Sequence, residues 1–119
     1  MADQELRKAF VELQMKMTET NQRVNFAQVQ IENLKRSNIR IDLTQKEISE
    51  LPPETKTYES IGRMFMLEPI STVCKNLMSK KQANEEKIKN HESNISRWTD
   101  SVKQSEENLR EMIALHREK

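Results

Sequence analysis

The chain has 119 residues, of which 34% are hydrophobic and 33% charged, with one glycine and three prolines. One domain fits that length, but the composition excludes a thick globular core and a many-stranded fold. A net charge of +1, from 20 basic and 19 acidic residues, excludes a dedicated nucleic-acid or anionic-membrane binder, and one cysteine excludes an internal disulfide.

What such a chain can bury is a narrow seam between long helices, which needs only two apolar positions in each heptad. The opening Met1-Ala2-Asp3-Gln4-Glu5 is acidic and has no apolar run, unlike a signal peptide. No stretch approaches the roughly 20 apolar residues of a membrane span. The single Cys74 fits a reducing compartment. The expectation is a soluble, cytoplasmic protein with no nucleic-acid and no membrane partner.

The first long pattern alternates spacings of three and four: Leu6, Phe10, Leu13, Met17, Thr20, Val24, Ala27, Ile31, Leu34, Asn38, Ile41. Nine of these eleven are apolar, and heptads sustained this long predict a coiled-coil helix over 1–41. Lys35, Arg36 and Arg40 read as a solvated helix face. A break is expected between Asn38 and Asp42, because Thr44 and Glu47 form a capping box flanked by Leu43 and Ile48. A short helix is therefore predicted over 44–51, stopped by Pro52-Pro53.

Residues 54–67 differ in kind. Thr55 to Ile61 and Met64 to Leu67 are strand-compatible and separated by Gly62-Arg63, which predicts a β-hairpin with Gly62 in the turn. Met-Phe-Met-Leu is also compatible with the start of a helix. A second long helix is predicted over 69–117, with Pro69 at its first position. Its seam reads Ile70, Cys74, Leu77, Lys81, Asn84, Ile88, His91, Ile95, Trp98, Val102, Ser105, Leu109, Met112, His116.

Two heptad runs around a turn predict an intrachain antiparallel coil. Folding about residue 61 makes facing numbers sum to about 122. Phe10 then meets Met112, Leu13 meets Leu109, Val24 meets Trp98, and Asn38 meets Asn84. An Asn–Asn layer can fix register. A one-heptad slip would pair Leu34 with Lys81 and waste apolar surface.

The block from Glu54 to Leu67, between two coils, resembles the hairpin signature of beta-class prefoldin subunits. The opening Leu6-Arg7-Lys8-Ala9-Phe10-Val11-Glu12-Leu13-Gln14 and the late Glu107-Asn108-Leu109-Arg110-Glu111-Met112 are similar too. Pro52-Pro53 departs from the more usual polar residues there. The resemblance covers essentially the whole chain. It implies a mainly α fold: two long helices in an antiparallel coiled coil, joined here by a short helix and one β-hairpin, as one domain over 1–119. It also implies a heterohexamer of two alpha-class and four beta-class subunits, so that the chain's partners are two alpha-class and three further beta-class subunits. Their hairpins join into a platform. The coil tips hold unfolded actin and tubulin chains for transfer to the cytosolic chaperonin, without nucleotide hydrolysis.

Two surfaces carry that expectation. A lone hairpin is marginal and leaves both edges unpaired. Its Tyr58, Ile61, Gly62, Met64, Phe65, Met66 and Leu67 form the expected assembly segment, the other reading being that Tyr58, Ile61, Phe65 and Leu67 pack on the base of their own coil. The second surface is the apolar cluster of Leu6, Phe10, Val11, Leu13, Met15, Met112, Ile113 and Leu115, expected to bind clients. Phe26 and Val29 are off-seam apolar residues that could equally be tolerated singles.

No enzyme is expected: there is no phosphate loop and no carboxylate pair in a pocket, and no cofactor or metal follows. His91 and His116 have no ligand partners at metal spacing, Cys74 and Trp98 read as seam residues, and Asn94-Ile95-Ser96 is a sequon on a helix. A structural coiled-coil scaffold or tether is the alternative, though a simple tether has no use for the hairpin. A basic-zipper DNA binder lacks its dense basic stretch.

Overall fold

The computed structural model describes residues 2–118. Met1 and Lys119, the outermost residues of the expected domain, lie outside the described residues. Four elements follow in chain order: helix α1, Ala2–Ser49; strand β1, Thr57–Ile61; strand β2, Met64–Glu68; and helix α2, Ile70–Glu118. They fall into two compact units. A terminal unit takes Met1–Gln30 with Asn90–Lys119, and a central unit takes Ile31–Lys89.

Helix α1 has 48 residues and contains neither glycine nor proline. Asp3 and Glu5 in its first turn and Lys46 in its last complement the helix dipole. The expected break between Asn38 and Asp42, and the separate short helix over 44–51, do not occur. Nothing in that stretch removes a backbone donor, and Ile41, Gln45 and Ile48 carry the inward face onward. Thr44 is no cap: its hydroxyl donates to the Arg40 carbonyl at 2.8 Å, as a threonine inside a helix does. The true end is two i→i+3 bonds, Glu50 N–H to Glu47 at 3.2 Å and Leu51 N–H to Ile48 at 3.1 Å, which tighten the last turn before Pro52-Pro53 forbids another. A turn follows, Thr55 N–H donating to the Pro52 carbonyl at 3.0 Å.

The hairpin forms as expected, so Met64 to Leu67 do not open a helix. Ile61 pairs with Met64, which leaves the two-residue loop Gly62-Arg63. Gly62 has φ 61°, and among the described residues no other has positive φ. That combination is a type II′ turn, whose twist matches that of the strands.

Helix α2 has 49 residues. Val73 N–H donates to the Pro69 carbonyl at 3.0 Å, so Pro69 caps the helix from outside rather than occupying its first position. His116 and Arg117 close its last turn.

The core is a seam. Ala27 and Leu109 are its buried hydrophobic residues in the terminal unit, and Ile31, Ile41 and Val73 in the central unit. The helices meet antiparallel within each unit. In the terminal unit Lys16 Nζ lies 2.8 Å from Ser105 Oγ. In the central unit Asn84 Nδ2 donates to Asn38 Oδ1 at 2.9 Å, and Lys81 Nζ meets Asp42 Oδ1 at 2.7 Å. These numbers sum to about 122, so Lys81 faces Asp42 and not Leu34.

One predicted layer is not buried: Phe10 and Met112 are both exposed, while Ala9 and Ile113 are half-buried.

Candidate functional site

The hairpin's alternation sorts its side chains. Tyr58 pairs with Leu67 and Ser60 with Phe65, and these share one face. Tyr58 is 58% exposed, Leu67 57% and Phe65 75%. Thr57, Glu59 and Ile61 share the other face with Glu68, Met66 and Met64. That face is partly tied down: Glu59 Oε1 accepts from Asn76 Nδ2 of α2 at 3.2 Å, and the Thr57 hydroxyl donates to the Glu68 carbonyl. Ile61, Met64 and Met66 remain exposed on it. Tyr58, Ile61, Phe65 and Leu67 therefore do not pack on the base of their own coil.

Register also decides where the backbone points. In a two-residue hairpin the pair next to the loop exchanges both hydrogen bonds, and bonded pairs alternate with unbonded ones. Ile61–Met64, Glu59–Met66 and Thr57–Glu68 are the bonded pairs. Tyr58, Ser60, Phe65 and Leu67 then turn their N–H and C=O groups outward, along the two edges. The residues with the exposed aromatic and aliphatic side chains are those with free backbone groups. Such an edge is a template for another strand.

The terminal unit holds the second surface. Leu6, Phe10, Val11 and Ile113 come together, with Arg7 and Leu109, around an open groove of about 330 Å³. Leu13 and Met112 line a different groove of about 310 Å³, with Ala9, Glu12, Lys16, Ser105, Asn108 and Leu109. Met15 lies on a third, beside Val11, and Leu115 is exposed. The residues named from sequence are thus spread over grooves that share Leu109 and Val11. Sequence reasoning left Arg7 and Ala9 out of this site. At the helix ends His116 Nε2 lies 3.0 Å from Asp3 Oδ1, an ion pair only when the imidazole is protonated.

The remaining chemistry-bearing groups serve the coil. The hydrogen bond that Lys81 donates to the Asp42 carboxylate holds the amine above its usual pKa of 10.5, against a smaller opposing desolvation, with further help from the charges of Asp42 and Glu85. Because that pKa is raised on folding, the contribution of Lys81 is lost as pH rises past 10.5 and through the raised folded-state value. It is constant across neutral pH. The Arg23 guanidinium sits 6.0 Å from the half-buried Trp98 ring, within cation–π range. Cys74 is half-buried, its carbonyl accepting from Gln45 Nε2 at 3.5 Å. Among the described residues no group of histidine, cysteine, aspartate and glutamate is placed to hold a metal. Among them, too, no helix is long and apolar enough to cross a membrane.

Comparison with known proteins agrees with this geometry. A family model described as prefoldin subunit matches residues 11–115. Prefoldin subunit 1 of Bos taurus is 45% identical over 115 residues, covering 97% of this chain and 94% of that protein. Prefoldin subunit 1 of Homo sapiens is 44% identical with the same coverage, and that of Arabidopsis thaliana is 37% identical over 120 residues. The crystal structure of the prefoldin beta subunit from Thermococcus strain KS-1 superposes with a TM-score of 0.73, covering 90% of each chain at 13% identity; that likeness speaks for the fold. With two long helices, one antiparallel hairpin and relatives alike over nearly the full length, the chain belongs to the prefoldin subunit family.

Proposed function

We propose that this chaperone subunit captures unfolded polypeptides at its terminal surface and joins its complex through its hairpin. The complex is a cytoplasmic heterohexamer in which the chain stands beside two alpha-class and three further beta-class subunits. Its clients are unfolded chains of the actin and tubulin type, passed on to the cytosolic chaperonin without ATP hydrolysis. No catalytic group, cofactor or metal takes part, and the whole chain acts as one domain.

One observation carries the reading: the hairpin face of Tyr58, Phe65 and Leu67 is solvent-exposed beside two strand edges. A two-stranded sheet in that state is marginal in water, and sister hairpins would both cover the face and satisfy the edges. For the client site the support is the open apolar groove around Phe10 and Val11. Weak grips of this kind gain strength by combining across several subunits. A plain scaffold or tether gives the hairpin no role.

The test is sedimentation of the isolated chain at micromolar concentration, with and without Phe65→Ser, and its co-expression with its sister subunits. The isolated chain is expected to associate or to unfold, and Phe65→Ser to be excluded from the hexamer. A well-folded monomer in isolation would overturn the assembly reading.

A further inference from the structure

The coil presents the hairpin without packing against it. Tyr58, Ile61, Met64, Phe65, Met66 and Leu67 are all exposed, so no buried apolar contact of theirs fixes the direction in which the strands point. The chain connections leave freedom as well. Pro69 alone separates Glu68 of β2 from Ile70 of α2. The proline ring fixes its own φ, but its ψ can still swing the strands against the helix.

One side-chain tie crosses from strand to helix. Asn76 Nδ2 of α2 donates to Glu59 Oε1 at 3.2 Å, and among the described residues no other side-chain hydrogen bond joins the hairpin to either helix. Glu59 sits in the middle pair of the ladder, opposite Met66. It is half-buried between the exposed Tyr58 and Ser60. Asn76 stands six residues beyond Ile70, the start of α2, about 9 Å along the axis at 1.5 Å per residue. From Glu68 back to Met66 is about 7 Å of strand, so the two lever arms match. The bond therefore lays the ladder along the first turns of α2. Because alternate side chains leave opposite faces of a strand, it also turns the face of Tyr58, Phe65 and Leu67 away from that helix.

We propose that Asn76 and Glu59 are positioning residues for assembly, their hydrogen bond setting the pose in which the hairpin meets its sister strands. The inference rests on the hairpin reading above and names what aims that surface. Strand addition demands direction, since ladder hydrogen bonds weaken steeply away from line. Only subunits whose hairpin is already in pose can join, so loosening the tie lowers the apparent affinity by the fraction that leaves that pose.

The experiment assembles the complete complex from its sister subunits with wild-type and variant chains, separately labelled and mixed in equal amounts, and reads the share that each takes. Asn76→Ala is expected to fall about threefold below wild type, the effect of one exposed hydrogen bond. Its helical circular dichroism stays unchanged, because Asn76 is exposed. Asn76→Asp alone sets two carboxylates against each other and is expected to fall further. Asn76→Asp combined with Glu59→Gln exchanges donor and acceptor, and is expected to recover the wild-type share. Protection of the Glu59 and Met66 amides from hydrogen exchange within the complex stays the same in every variant, since the ladder itself is untouched. Loss of that protection would mean that the pair stabilises the hairpin instead of aiming it, and the proposal is overturned. It is overturned equally if the exchanged pair stays as poor as Asn76→Asp. If Phe65→Ser is excluded while Asn76→Ala takes a full share, the positioning inference is wrong and the hairpin reading survives. If Phe65→Ser takes a full share as well, both fall.

Discussion

Gly62 is the residue on which the hairpin's shape depends. Its φ of 61° lies in the region that L side chains avoid, and an added Cβ would meet nothing within 4 Å. The cost of Gly62→Ala is therefore purely conformational, about 1–3 kcal/mol. A two-stranded sheet has little stability to spare. Gly62→Ala is expected to lower hydrogen-exchange protection at the Glu59 and Met66 amides, which cross the ladder. Unchanged protection there would mean that the strands, rather than the turn, set the loop.

Asn84 poses the opposite problem, a polar residue that is 6% exposed within an apolar seam. Its amide donates to Asn38 at 2.9 Å and to the Ser37 hydroxyl at 3.3 Å. Asn84→Ala strands the Asn38 carbonyl oxygen and is expected to cost about 1–3 kcal/mol. The double change Asn38→Leu, Asn84→Leu removes both polar groups together, and is expected to recover that stability while loosening register. Amide exchange around positions 38 and 84 in the assembled complex reads both effects.

At the scale of elements, the two helices, the hairpin and the antiparallel register were legible in the residues. Hydrophobic spacing reports the seam directly, and the lone glycine marks the fold point. The Asn38–Asn84 layer followed from the same arithmetic. What misled was local chemistry: Thr44 and Glu47 carry a capping signature, but a cap competes with the inward face of Ile41, Gln45 and Ile48, and the seam wins. Equally illegible was the outermost layer. Phe10 is larger and more apolar than Ala9, so residue type favoured Phe10 for the seam, yet Phe10 is exposed while Ala9 and Ile113 are half-buried. This makes a crosslinking experiment informative. In a Cys74→Ser background, Leu13→Cys with Leu109→Cys is expected to form a disulfide readily, and Leu13→Cys with Val102→Cys is not. Efficient bonding of the second pair would mean a coil slipped by one heptad.

The molecule as a whole separates two kinds of exposed apolar surface, and the difference bears on what each can do. The hairpin's exposed side chains sit on a sheet whose backbone groups also lack partners, so a lasting, strand-adding neighbour suits them. The terminal grooves sit on helices whose backbone bonds are internally satisfied, so a partner there gains only side-chain burial. At about 25 cal/mol per Å², one apolar side chain in the Phe10–Val11 groove gains at most a few kcal/mol, which suits a grip that must let go. Removing residues 1–12 and 112–119 deletes Phe10, Val11, Met112, Ile113 and Leu115 and leaves the hairpin untouched. The truncated chain is expected to enter the hexamer at normal stoichiometry. The complex carrying it is expected to lose much of its ability to keep denatured actin from scattering light. Full retention of that ability would move the client site away from the helix ends, where, among the described residues of the terminal unit that remain, Met15, Phe26 and Val29 are the large exposed apolar side chains.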